Sequence, residues 1–128
     1  MLGAGIFKRR FPMIKDFDTL YHLIRSTYPF DGETYPNLRD MNRPQRVDFA
    51  VRHILSHLVK QTGKIATVCE GADHVGASAD EDGFVVQGAA VKTFINAVRL
   101  AEVLGIPPDE FLELVEEQLQ KSTPSRKE

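Results

Sequence analysis

An apolar line through the middle of the chain constrains the fold most. Val47, Val51, Ile54, Leu58, Ile65 and Cys69 recur at three- and four-residue steps and their multiples, broken only near Thr62. That period matches one face of an α-helix and no face of a strand. Asn42 is followed three residues later by Gln45, a capping-box pattern, and Pro44 falls in the first turn, where its missing N–H costs little. The spacing therefore predicts a helix running from the Asn42 cap to about Glu70 and ended by Gly71. Gly63 interrupts it, at up to about 1 kcal/mol relative to alanine, and suggests close approach of another helix or a ligand.

Three further helices read in the same way. Phe17, Leu20, Tyr21, Ile24 and Tyr28 define a first helix over 17–28, with Asp16 or Asp18 available as its cap. The stretch PFDGETYPNLRDMNRP then makes a long irregular connection, of a length more often functional or mobile than idle. After the small, acidic loop GADHVGASADEDG, a third helix is expected from about Phe84 to Leu104. Its apolar face is Val91, Phe94, Ile95, Val98 and Ala101, and Gly105 stops it. IPPDEFLELVEEQLQK restarts at once, with prolines and acids in its first turn and Phe111, Leu112, Val115 and Leu119 expected inward. No stretch alternates well enough for a strand. The fold class is all-α, a bundle of four helices with two long central ones. A single domain is expected over 1–121, with an irregular N-terminal segment over 1–16 and a disordered tail over 122–128.

Composition narrows the setting. An apolar content of 42% and a charged content of 27% suit an ordinary globular chain. With one cysteine, Cys69, there is no disulfide framework and no CxxC metal site, which fits a reducing compartment. No apolar run approaches the roughly 18 residues that span a bilayer, and MLGAGIFKRRF does not have the order of a signal peptide. A cytoplasmic, non-membrane protein is the expectation. The net charge of −2 divides unequally: residues 1–64 carry 11 Lys/Arg against 6 Asp/Glu, and residues 65–128 carry 5 against 12. Such a split means an anion-binding face, or halves that attract each other within a fold or across a dimer. A near-neutral total argues against a nucleic-acid partner.

The chemistry concentrates in RHILSHLVKQTGK. His53, His57, Lys60 and Lys64 lie at steps of four, three and four, so a helix stacks them on one strip roughly 120° from the apolar line. Such a shoulder is where a groove between helices has its rim, and also where long cationic side chains lie over apolar surface to reach water. Three uses are open. The strip is a solvated surface; or a metal site of His53 and His57 with Glu70, Asp73 and His74, which Lys60 would repel; or an anion site. On the third helix Lys92, Asn96 and Arg99 form a similar line. If the two lines share a groove they need carboxylates such as Glu70, Asp73 or Glu102, or a phosphate.

The segments HILSHLVKQTGKIATVCEGADH and VKTFINAVRLAEVLGIPPDEFLELVEEQLQ resemble the helices of MazG-like all-α nucleotide pyrophosphohydrolases, where an LA…LGI helix end runs into a short acidic helix. The resemblance spans about residues 44–120. It implies a helical fold whose site is usually built between protomers of a homodimer or higher homo-oligomer. It also implies an ExxE on the second helix and an ExxD on the third, which hold Mg²⁺ against a triphosphate. In register with RLAEVLGI, the ExxD positions fall on Ala89 and Lys92, and the ExxE positions nearest His57 and Lys60. Every expected acid is replaced. Hard cations want oxygen ligands, so Mg²⁺ is not an expected cofactor, and catalysis is left open.

The leading expectation is thus a MazG-like protein without the usual metal site, binding a nucleotide or other phosphorylated ligand through His53, His57, Lys60, Lys64, Lys92 and Asn96. The alternatives are a structural or interaction bundle with no small-molecule site, and an active hydrolase that recruits the loop acids Glu70, Asp73, Asp80, Glu81 and Asp82.

Overall fold

The computed structural model describes residues 13–74 and 79–124. Within them the chain is helical, without a strand: α1 (Phe17–Thr27), α2 (Arg43–Ala72), α3 (Ala79–Val103) and α4 (Pro108–Ser122), with one 3-10 turn at Pro36–Asp40. None of these helices is long and apolar enough to cross a membrane. The segment expected to be irregular is non-helical at 13–16. Residues 1–12, and 125–128 of the expected disordered tail, lie outside the described residues. Of that tail, Ser122 still closes α4.

Local chemistry sets the ends. Asp16 Oδ1 accepts from Thr19 N at 2.7 Å to cap α1, which pulls its carboxyl below the usual range. Asn42 and Gln45 exchange the two 3.0 Å bonds of a capping box at the start of α2. At the end of α3, Gly105 adopts φ +76° while Gly105 N donates to Glu102 O and Ile106 N to Ala101 O. That paired pattern is a Schellman motif, and only glycine enters the left-handed region without a Cβ penalty.

Two boundaries differ from the sequence reading. Helix α2 passes Gly71 to Ala72, and α3 begins at Ala79 rather than Phe84. Gly63 is also not a point of close approach. A Cβ there would meet nothing within 4 Å.

Helices α2 and α3 make the main contact of the fold. Val47 and Ala50 share a cavity with Glu102 and Val103, while His57 and Lys60 share one with Lys92 and Ile95, so the pair runs antiparallel. Tyr21, Ile24 and Val98 form the core, with Phe17, Leu20 and Ile95 packed around it. Tyr21 Oη donates to Ile106 O at 2.7 Å, and Phe17 stacks on Phe111 at 5.9 Å, tying α1 to the α3–α4 turn and to α4.

The apolar lines are only partly buried. Ile54, Val98 and Ala101 are fully enclosed, but Val91, Phe94, Leu112, Val115 and Leu119 are 40–62% exposed. Cys69 is exposed as well. The expected inward faces hold for Ile95, Val98 and Ala101 on α3 and for Phe111 on α4, and are corrected for Val91, Phe94, Leu112, Val115 and Leu119. On α3 the buried side carries Ala89, Asn96, Val98, Arg99 and Ala101, so Asn96 and Arg99 of its polar line lie inside with the apolar residues, while Val91 and Phe94 face out.

Candidate functional site

The burial of Asn96 and Arg99 beside the apolar line of α3 builds the site. Lys92, Asn96 and Arg99 from α3 meet His57, Lys60 and Gln61 from α2 around a cavity of about 240 Å³, closed on one side by Tyr28 and Tyr35. The strand-free connection after α1 supplies those tyrosines. Asp31 Oδ1 accepts from Glu33 N and Thr34 N to turn the chain, and Leu38 anchors it at 0% exposure. Phe30 then stacks on Tyr35 at 5.4 Å, and Tyr35 packs edge-on against His53 and Phe49.

Arg99 is the central group. It is 6% exposed, its guanidinium lies 4.6 Å from the Phe30 ring and 5.1 Å from the Tyr28 ring, and its Nη1 donates to Asn96 Oδ1 at 3.3 Å. Asn96 is held in turn by its own bond to Lys92 O at 2.8 Å. Among the described residues no carboxylate lines the cavity. Of the acids that could have neutralised it, Glu102 pairs with Arg25 at 3.2 Å and Glu70 with His74 at 2.8 Å. A cation taken out of water is costly unless paired or hydrogen-bonded, and ring faces recover only part of that cost.

The neighbouring charges add to the excess. The ammonium of Lys92 holds the Lys64 pKa below its ordinary value, with burial and Lys60 contributing less. Burial, then Arg99, then Lys60 push the His57 imidazole down, and burial, then His57, then Arg99 do the same to His53. All these pressures favour losing a proton or gaining an anion.

Of the six residues expected to bind a ligand, His57, Lys60, Lys92 and Asn96 line the one cavity. Lys64 does not line the cavity, but it lies near enough to Lys92 for that ammonium to depress its pKa. His53 stands behind His57, its Nε2 3.1 Å from both Tyr35 Oη and His57 Nε2, and faces a separate cavity on the Phe49 side. Arg99 had been seen on the polar line of α3, but not as its buried centre. Gln61 was missed, although it lies four residues after His57 and so on the same strip.

Four of the five residues of the alternative metal set fall into two separate pairs, and Asp73 joins neither. His53 touches His57, and Glu70 touches His74, 13 positions farther along α2, or about 20 Å at 1.5 Å per residue. Among the described residues no three His, Cys, Asp or Glu side chains converge for a metal. The cavity does not suit Mg²⁺ either, since its lining offers ammonium, guanidinium, imidazole and amide groups in place of carboxylates.

No family model, no curated protein and no solved structure matches this chain.

Proposed function

We propose that this chain binds a phosphorylated small molecule in the groove between α2 and α3. In this reading it is a divergent MazG-like protein in which fixed cations replace the metal. One observation carries it: Arg99 is buried beside Lys60 and Lys92 in a cavity with no carboxylate among its described lining residues. Phosphate oxygens are the natural complement, because guanidinium offers a planar fork of donors and ammonium a compact charge. The MazG-like resemblance gains support from position. His57, Lys60 and Lys92, which it aligns with metal-holding acids, line the same cavity.

The test is thermal shift with inorganic pyrophosphate at low and high salt, with and without EDTA. Binding raises the melting temperature, the rise shrinks as salt screens the charges, and EDTA does not change it. No shift at millimolar pyrophosphate at low salt removes the anion reading. A shift that needs a divalent cation moves the protein back to metal-dependent chemistry on the loop acids.

A second reading has its own observation. Leu55, Val59, Val91, Phe94, Leu112, Val115 and Leu119 are all exposed, more apolar surface than a lone chain usually leaves to water. We propose that a second copy covers part of it in a homodimer or higher homo-oligomer. In the strongest form of this reading the bundle is an interaction protein and the cationic groove serves an acidic partner.

A further inference from the structure

Two buried polar atoms at the cavity have no partner, and they are of opposite kind. Gln61 is 2% exposed, and its acceptor Oε1 receives no hydrogen bond. Arg99 is 6% exposed, and its donor Nε gives none. Both residues line the cavity. Buried polar groups are nearly always paired, and each orphan costs about 1–3 kcal/mol. A fully deprotonated anion answers only the arginine, because it has acceptors and nothing to donate. The glutamine oxygen needs an O–H or N–H brought in beside the negative charge.

We infer that the ligand is a phosphate monoester with a free hydroxyl near its phosphate, a sugar or polyol phosphate. The hydroxyl donates to Gln61 while the phosphate engages Arg99, Lys60 and Lys92. The inference rests on the anion-binding reading above and narrows it. The last torsion of a glutamine is broad and two-fold, so Oε1 turns toward a ligand without displacing α2.

Size and wall chemistry agree with this class. The cavity of about 240 Å³ lies below the roughly 300–1,000 Å³ of pockets for drug-sized ligands. It corresponds to about eight waters at ~30 Å³ each. A phosphate on a short polyol fits within that space, whereas base, ribose and triphosphate together would extend out of it past the exposed Lys60 and Lys92. Tyr28 and Tyr35 present apolar ring faces to the C–H groups of such a ligand, and phenolic hydroxyls to its oxygens.

A matched pair of ligands tests the inference: glycerol 3-phosphate and n-propyl phosphate have the same three-carbon chain, with and without hydroxyls. In calorimetric titrations at fixed pH and ionic strength, glycerol 3-phosphate binds the wild-type protein at least tenfold more tightly. Gln61→Met brings the two to within twofold of each other. It also raises the melting temperature of the free protein, because the orphaned acceptor is gone. Equal wild-type affinities for the pair overturn the inference and leave the anion reading standing. If neither ester nor pyrophosphate binds, both fall. AMP binding tenfold more tightly than glycerol 3-phosphate overturns the size argument in favour of a nucleotide. A Gln61→Met variant that keeps the wild-type preference removes Gln61 from the recognition.

Discussion

His57 Nε2 lies 3.1 Å from His53 Nε2, with the rings edge-to-face at 4.7 Å. At that separation one nitrogen carries a proton and the other accepts it, so the pair cannot be doubly charged without moving apart. Tyr35 Oη lies at the same 3.1 Å from His53 Nε2. Two possible donors thus share one lone pair, and whichever loses it can turn to a ligand in the cavity, which both Tyr35 and His57 line.

The pair makes stability depend on pH in a definite direction. Both imidazoles have folded pKa values below the ordinary 6.5, through burial first and neighbouring charges second. The unfolded chain therefore binds more protons as pH falls through about 6.5. Stability is fully present above that pH and is lost below it. The melting temperature of the free protein should fall between pH 7.5 and 5.5, and saturating pyrophosphate should flatten the slope by compensating the cations around His57. A melting temperature that rises over the same interval contradicts the assignment.

Arg99 separates a ligand-binding arginine from a structural one. Breaking a buried ion pair typically costs about 3–5 kcal/mol. Here there is no ion partner to strand among the described residues, and the contacts with Phe30 and Tyr28, worth about 2 kcal/mol each where desolvated, are offset by about 1–3 kcal/mol from removing the buried, unpaired Nε. Arg99→Met should therefore change the unfolding free energy by less than about 3 kcal/mol, while abolishing the pyrophosphate-induced shift. Chemical denaturation showing a loss of 3 kcal/mol or more would mean that Arg99 holds the fold together.

How much of this was legible in the sequence depended on whether local rules decided the outcome. The all-helical class, the Asn42–Gln45 box and the Gly105 stop follow from periodicity and capping, which act over a few residues. The inner face of α3 does so only in part. Pattern alone places Ile95, Val98 and Ala101 inward, as they are, but also Val91 and Phe94, and it gives no reason to bury Asn96 and Arg99. Tertiary packing won: α2 and the connection after α1 offer Arg99 two ring faces and an amide, an environment assembled from residues 28–30 and 96. For the same reason the strip on α2 was readable as a group, while the separation of His53 from His57, Lys60 and Lys92 was not. Tyr35, brought in by a loop without periodicity, decides it.

The exposed apolar residues predict assembly. Sedimentation at tens of micromolar should give a dimer or larger species. Charged substitutions such as Phe94→Lys on α3 or Leu119→Lys on α4 should identify which face is covered, by producing a folded monomer. A wild-type monomer at that concentration rules out the second copy as the occupant of these faces.

Divalent metal should be dispensable. With Glu70 engaged by His74 and no acid lining the groove, Mg²⁺ should neither raise the melting temperature nor support pyrophosphate release from common nucleoside triphosphates. EDTA-sensitive turnover abolished by Glu70→Gln or Asp73→Asn would show that the end of α2 is the reactive region after all.

Lys60 and Lys92 supply the sharpest comparison, because they approach the cavity from opposite helices and both are exposed. A solvated lysine contributes little, so on a plain surface Lys60→Ala changes stability by about 0.5 kcal/mol or less and alters nothing else. In an anion site the same change leaves the free protein folded but removes most of the pyrophosphate-induced rise in melting temperature, and Lys92→Ala does likewise. Losing Lys92 has one further effect: it relieves Lys64, whose pKa it depresses most. The Lys64 ammonium of the Lys92→Ala variant should therefore titrate at higher pH than in wild type, a shift that side-chain NMR can follow. Zn²⁺ provides the opposing control. His53 and His57 are close enough to share an ion, and removing the Lys60 charge should strengthen any such binding while it weakens phosphate. If Lys60→Ala and Lys92→Ala both keep the full pyrophosphate shift, the anion binds elsewhere and the groove between α2 and α3 is not its site.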